Sequence, residues 1–231
     1  MKTLFEDDFM KVAAVENGSP DLTLCFTGIG NSIGGLNIQS EEFRKASSFS
    51  TAVFVVDKTR SWGNNVDFPR LAEIVSSYGS KNINAIGNSM GGFLAVLVSR
   101  FIDVSTVVAI CPQYSVSREV VPKEHRWSDH VNNIQVWKYK SLDGCFCERT
   151  KYYVLAGVGG HDDKQLKWIP DRSNINKIYF KDKRFNHRVS LALKEDGILY
   201  GVVADCLAGK RPSEIIAEKF SRPGYEAFTP R

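Results

Sequence analysis

The chain has 231 residues, 43% of them hydrophobic and 24% charged, which suits one domain of the larger α/β kind and is short for two. Its 30 basic and 26 acidic residues leave a formal charge of +4, and the basic ones are scattered apart from a short cluster at Lys177 to Arg188, so no nucleic-acid partner is implied. No apolar stretch approaches bilayer length, and Met1 to Met10 is acidic and lacks the basic and apolar regions of a signal peptide, which predicts no membrane association and a cytoplasmic location.

In chain order, Val12 to Val15 and Leu22 to Phe26 are short strand-like runs separated by the turn formers Asn17-Gly18-Ser19-Pro20-Asp21, which predicts an N-terminal hairpin. Thr51 to Val56 is a buried strand, Phe68 to Tyr78 a helix, Asn82 to Ile86 a strand, Met90 to Phe101 a helix, and Val104 to Cys111 a further strand. Pro112 to Thr150 is long, aromatic, charged and irregular; a structureless loop of that length is uncommon, so short helices covering part of a site are expected there. The alternation then resumes with Tyr152 to Ala156 as strand, Asp163 to Ile169 as a short helix, Ile175 to Phe180 as strand, and Arg188 to Lys194 and Ile198 to Leu207 as helices. Strands alternating with helices predict an α/β three-layer sandwich, a mostly parallel twisted sheet with helices on both faces.

The chemistry centres on Gly87-Asn88-Ser89-Met90-Gly91-Gly92, a G-x-S-x-G arrangement set between a predicted strand and a predicted helix. A tight strand-to-helix turn forces the serine hydroxyl outward to where a base can reach it, and glycines at Gly87 and Gly91 give the backbone room to make that turn. The base must come from a loop at the same sheet edge. Of the four histidines, His125 and His130 lie in the irregular segment and His161 follows the strand ending near Gly157, while His187 follows the last predicted strand. In a Ser-acid-His chain order His187 is the expected base. The acid is expected on Gly159-Gly160-His161-Asp162-Asp163, with Asp162 favoured and Asp163 as a helix N-terminal charge or the alternative acid.

Acyl chemistry also needs donors for an oxyanion. The backbone N–H of Met90 is expected to supply one, and the glycine-rich loop Phe26-Thr27-Gly28-Ile29-Gly30 the other, from Ile29 or from Gly28. With Gly34 and Gly35 that loop has neither dinucleotide spacing nor the lysine of a P-loop. After the Thr51 to Val56 strand come Asp57, Arg60, Ser61, Trp62 and Asn64, positioned either to touch substrate or to fix a turn. Five cysteines, Cys25, Cys111, Cys145, Cys147 and Cys206, form an odd set; three sit in apolar runs as small core residues, and Cys145-Phe146-Cys147 lacks the second pair of a zinc site.

On the elbow Gly87 to Gly92, the loop Phe26 to Gly30, the acid loop Gly159 to Asp162 and Asn186-His187, the chain resembles the α/β-hydrolase superfamily from about Leu22 to Leu207. Cys111-Pro112-Gln113-Tyr114-Ser115 and Val120 to Trp127 resemble a bacterial branch of it, some of whose members accompany polysaccharide biosynthesis. Thr27 stands where many members carry histidine, and no long helical lid is present. The resemblance implies one domain over 1–231 with an insertion at 112–150, and an acyl-Ser89 intermediate formed from an ester or related small-molecule acyl substrate. Transfer to a sugar or alcohol, or a binding protein that kept the fold, are the other readings. No metal or organic cofactor is needed for such chemistry. Trp62, Tyr114 and Trp127 are expected to shape the substrate pocket.

Overall fold

β-branched and aromatic runs become strands and the apolar-faced segments between them become helices. The computed structural model describes residues 1–33, 36–220 and 227–228. The strands are β1 (Lys2–Glu6), β2 (Met10–Val15), β3 (Asp21–Phe26), β4 (Asn31–Ile33), β5 (Leu36–Ile38), β6 (Thr51–Asp57), β7 (Asn82–Asn88), β8 (Thr106–Ile110), β9 (Lys151–Gly157), β10 (Ile175–Phe180) and β11 (Ala227–Phe228). The helices are α1 (Phe68–Ser76), α2 (Met90–Leu97), α3 (Ser128–Val131), α4 (Asp163–Leu166), α5 (Val189–Glu195), α6 (Leu199–Leu207) and α7 (Pro212–Lys219).

Nine strands form one sheet in the order β1-β2-β6-β3-β7-β8-β9-β10-β11, with β4 and β5 pairing separately. The six strands from β6 to β10 in that order run parallel, while β1, β2 and β11 are antiparallel to their neighbours. Alternate side chains serve two cores. Leu22, Leu24, Phe26, Val53 and Val55 pack with α1, α2 and the 112–150 insertion, whereas Cys25, Ala52, Phe54, Val108 and Ile110 pack with α5, α6 and α7. Burial on both faces is why these strands read as continuous apolar runs.

The predicted hairpin is not formed. The turn exists, with Gly18 at φ +76° and the Asn17 side chain accepting the Ser19 N–H at 2.9 Å, yet β6 lies between its two arms. It pairs antiparallel with β2 and parallel with β3. β6 is buried along its whole length, the most buried of the three strands, and hydrogen-bonds to both arms in place of their pairing with each other. The acidic start, not anticipated as a strand, is the exposed edge strand β1. The segment 112–150 contains one short α-helix, α3, and the helix α7 has no counterpart among the expected elements. Among the described residues no helix is long and apolar enough to cross a membrane. The carboxyl ends of the parallel strands β3, β6, β7, β8, β9 and β10 lie at one sheet edge, where sites form in sheets of this kind.

Candidate active site

The turn from β7 into α2 is as sharp as its glycines allow. Ser89 adopts φ 56°, ψ −119°, a region costly for a residue with a side chain. A Cβ on Gly87 would sit 2.0 Å from the Gly91 carbonyl oxygen, and one on Gly91 2.3 Å from the Phe26 carbonyl oxygen, so neither position tolerates one. The Ser89 N–H donates to the Ile110 carbonyl at 2.8 Å, pinning the elbow to β8. The hydroxyl is thereby held at the sheet edge on a residue 5% exposed.

His187 follows β10 in a short 3-10 turn, Asn186–Arg188. Its Nε2 lies 2.9 Å from Ser89 Oγ, and its Nδ1 lies 2.8 and 2.9 Å from the two oxygens of Asp162. Asp162 is buried, and its Oδ1 also accepts from Arg126 Nη1 at 2.9 Å. Arg126 in turn grips Glu124 through Nε (3.0 Å) and Nη2 (2.7 Å), and Gln165 donates to the same carboxylate at 2.9 Å. Burial opposes ionisation of Glu124, but the hydrogen bonds from Arg126 and Gln165 outweigh it and hold the carboxyl down at about 2. Asp163 turns away from the imidazole; its carboxylate accepts the Gly159 N–H at 3.1 Å on the exposed side of the loop. His125 and His161 are exposed.

A further neighbour of Ser89 had no signal in the motif itself. Gln113, fully buried just beyond β8, donates from Nε2 to Ser89 Oγ at 2.9 Å and accepts at Oε1 from Trp62 Nε1 at 3.0 Å. Its place directly after a parallel strand, at the edge where such sheets carry their sites, is the clue that could have found it. Trp62 is likewise fully buried, and neither it nor Tyr114 lines the pocket: the indole is turned inward to Gln113, and Tyr114 stacks on Trp168 at 6.0 Å between ring centres. Trp127 does line it, 5.6 Å from the His187 ring, with an indole N–H that has no partner among the described residues.

The N–H of Met90 opens α2 and so has no acceptor within the helix. Ile29 lines the pocket and its N–H has no acceptor among the described residues. The Gly28 N–H is committed to the Glu42 carboxylate at 3.0 Å, which removes Gly28 as a free donor. Burial pushes the Glu42 carboxyl up to about 7 against the opposing bond from Gly28. Gly34 and Gly35, the glycines that follow in this loop, lie outside the described residues. Asp57 proves to be a turn-fixing group: fully buried, it accepts from the N–H groups of Thr59, Ser61 and Gly63 and from two hydroxyls.

From Ser89 and His187 a groove of about 710 Å³ runs between residues 38–45 and the helices α5 and α6. Arg44 and Lys45 stand on one wall and Arg188 and Lys194 on the other. Glu41, on the same wall as Arg44, is held down at about 2: burial is outweighed by its own backbone N–H and by Lys11 and Arg44. Among the described residues, the one trio with atoms close enough to grip a metal ion is Cys111, Asp162 and His187. Those Asp162 and His187 atoms are already hydrogen-bonded to each other and to Ser89 and Arg126, and burial with the adjacent Asp162 charge pushes the Cys111 thiol far up, away from the thiolate a metal requires.

No family model and no curated protein matches the chain. Solved structures do. A capsule O-acetyltransferase of Neisseria meningitidis serogroup A superposes with a TM-score of 0.60 at 13% identity, over 84% of this chain and 92% of that one. An α/β superfamily hydrolase from Oenococcus oeni PSU-1 gives 0.59 at 13% identity, over 90% and 100%. A metagenomic α/β hydrolase from lagoon sediments of Mar Chica, Morocco, gives 0.52 at 14%, over 89% and 98%.

Proposed function

Taking the α/β-hydrolase fold as the premise, we propose that this chain is a serine acyl enzyme that cleaves a carboxylic ester or related acyl bond through an acyl-Ser89 intermediate. The observation that carries this is the continuous path Asp162–His187–Ser89, with contacts of 2.8 and 2.9 Å, opening on the groove. His187 takes the Ser89 proton as Oγ attacks the acyl carbon and returns it to the leaving group, while Asp162 holds Nδ1 protonated. The N–H groups of Met90 and Ile29 are the donors for the oxyanion. The strained backbone of Ser89 argues against a binding protein that merely kept the fold, since such strain persists where it serves a purpose.

Transfer of the acyl group to a sugar or alcohol is the second reading, and the size of the groove favours it: about 710 Å³ exceeds the needs of a short acyl chain and leaves room for an acceptor. O-acetyl transfer is what the name of the Neisseria neighbour states of that protein. Arg44 is paired with Glu41 at 2.8 Å, and the other cations on the groove walls, Lys45, Arg188 and Lys194, suit a donor or acceptor that carries a phosphate or carboxylate. The test is a panel of p-nitrophenyl esters with neutral and carboxylate-tipped acyl chains, assayed with and without a sugar acceptor. Turnover indifferent to the acceptor supports hydrolysis, and acylated sugar as the main product supports transfer. Absence of turnover across the panel, with no acyl-enzyme formed, contradicts both.

A further inference from the structure

Five non-glycine residues among those described have left-handed φ, and four of them, Arg60, Trp62, Ser89 and Cys111, lie on the three loops that meet at Ser89. Such conformations persist only where the surroundings fix them. The Asp57 carboxylate fixes the first loop by gathering the N–H groups of Thr59, Ser61 and Gly63 at 2.9 to 3.2 Å. Trp62 is thereby buried with its indole N–H aimed at Gln113. The second loop is fixed at Cys111, whose N–H donates to the Leu155 carbonyl at 2.7 Å, and two residues later Gln113 is buried against the hydroxyl of Ser89.

The arrangement has a direction. An indole N–H can only donate, so the oxygen of the Gln113 amide must face Trp62 and its NH2 must face Ser89. Ser89 Oγ therefore accepts from Gln113 and sends its own proton to His187 Nε2, which leaves the Nδ1 proton for Asp162. At the far end Arg126, another obligate donor, meets the same carboxylate.

Building on the reading of Ser89 as nucleophile, we infer that Gln113 is a catalytic residue and Trp62 its positioning residue: the amide N–H directs the Ser89 proton toward His187 and holds Oγ when that oxygen leaves the acyl group. In acylation the Oγ–C bond forms, the proton passes to His187 and then to the departing group. In the second half, water or an acceptor hydroxyl attacks and gives its proton to His187. The C–Oγ bond then breaks, its electron pair stays on Oγ, and Oγ recovers a proton from His187 while Gln113 continues to donate to it.

The experiment compares the rate of Ser89 labelling by a fluorophosphonate, across pH, in the wild type, Gln113→Met, Gln113→Glu and Trp62→Phe, each checked for native near-UV circular dichroism. Gln113→Met keeps the length and loses the donor, and labelling is expected to slow roughly ten- to a hundredfold. In Gln113→Glu an ionised carboxylate competes with His187 for the serine proton, whereas the protonated acid donates to Oγ as the amide does. Its rate relative to wild type is therefore expected to climb as pH falls. Trp62→Phe keeps the ring, frees the amide to turn over, and is expected to slow labelling several-fold. A purely structural role would lower each rate by a factor independent of pH. That result, or a Gln113→Met protein labelled at the wild-type rate, overturns the inference while leaving Ser89 as nucleophile. A folded wild type that is not labelled overturns the reading of Ser89 and this inference with it.

Discussion

Replacing Arg126 with methionine tests whether the 112–150 segment supports the proposed chemistry through Asp162. The guanidinium lies between the carboxylates of Glu124 and Asp162, both with side chains 1% exposed, at 2.7 and 2.9 Å. Removing one partner of a buried ion pair costs about 3–5 kcal/mol. Lys164, 3.4 Å from Glu124, and Gln165 both remain, which sets the expectation at the lower end, about 3 kcal/mol. For a chain of this size that is a fall in Tm of about 6–12 °C. Glu124 adds a pH signature. Its folded pKa, about 2, lies below its ordinary value, so the stability it contributes is present above about pH 4 and is lost as pH falls toward 2. The gap between wild type and Arg126→Met should therefore be full at pH 7.5 and narrow at pH 3. Urea denaturation at several pH values measures it, and Ser89 labelling should slow about tenfold through the loosened Asp162. A gap below about 1 kcal/mol at pH 7.5, or one that does not narrow in acid, refutes this reasoning.

Glu42 behaves in the opposite sense: its folded pKa, about 7, is raised, so its contribution is complete below about pH 4 and is lost as pH rises through 7. Glu42→Gln, which keeps an acceptor for the Gly28 N–H, should gain in Tm over wild type as pH rises from 5 to 8, and a constant difference would contradict the assignment. Gly87→Ala places a methyl 2.0 Å from the Gly91 carbonyl oxygen and should destabilise by upwards of about 2 kcal/mol in denaturant titrations. Asp162→Asn should lower ester turnover by about three to four orders of magnitude, whereas Asp163→Asn should leave it within about twofold; equal losses would undo the separation of their roles.

Much of this architecture was legible in the sequence because it rests on local signals. The apolar runs from Leu22 to Phe180 mark the parallel strands, and Gly87 and Gly91 mark the elbow because no other residue fits there. Chain order then singles out His187 and the loop of Asp162 and Asp163. What was not legible depends on contacts remote in sequence. The turn after Val15 reverses the chain but says nothing of β6 lying between the two arms. Trp62 and Gln113 are 51 residues apart, and only the two strained loops bring them together. Arg126 reaches Asp162 across 36 residues, and nothing local to either distinguishes it from the other cations of the insertion. The aromatic side chains of the pocket region illustrate the same limit: of Trp62, Tyr114 and Trp127, composition could not tell that only Trp127 faces the groove.

The most direct measurement of the central claim is intact-protein mass spectrometry after incubation with a fluorophosphonate, on the wild type, Ser89→Ala and His187→Ala. One adduct per wild-type chain, mapped to Ser89 and absent from both variants, is the predicted result. A folded wild type that stays unmodified, or an adduct that persists in Ser89→Ala, would contradict it.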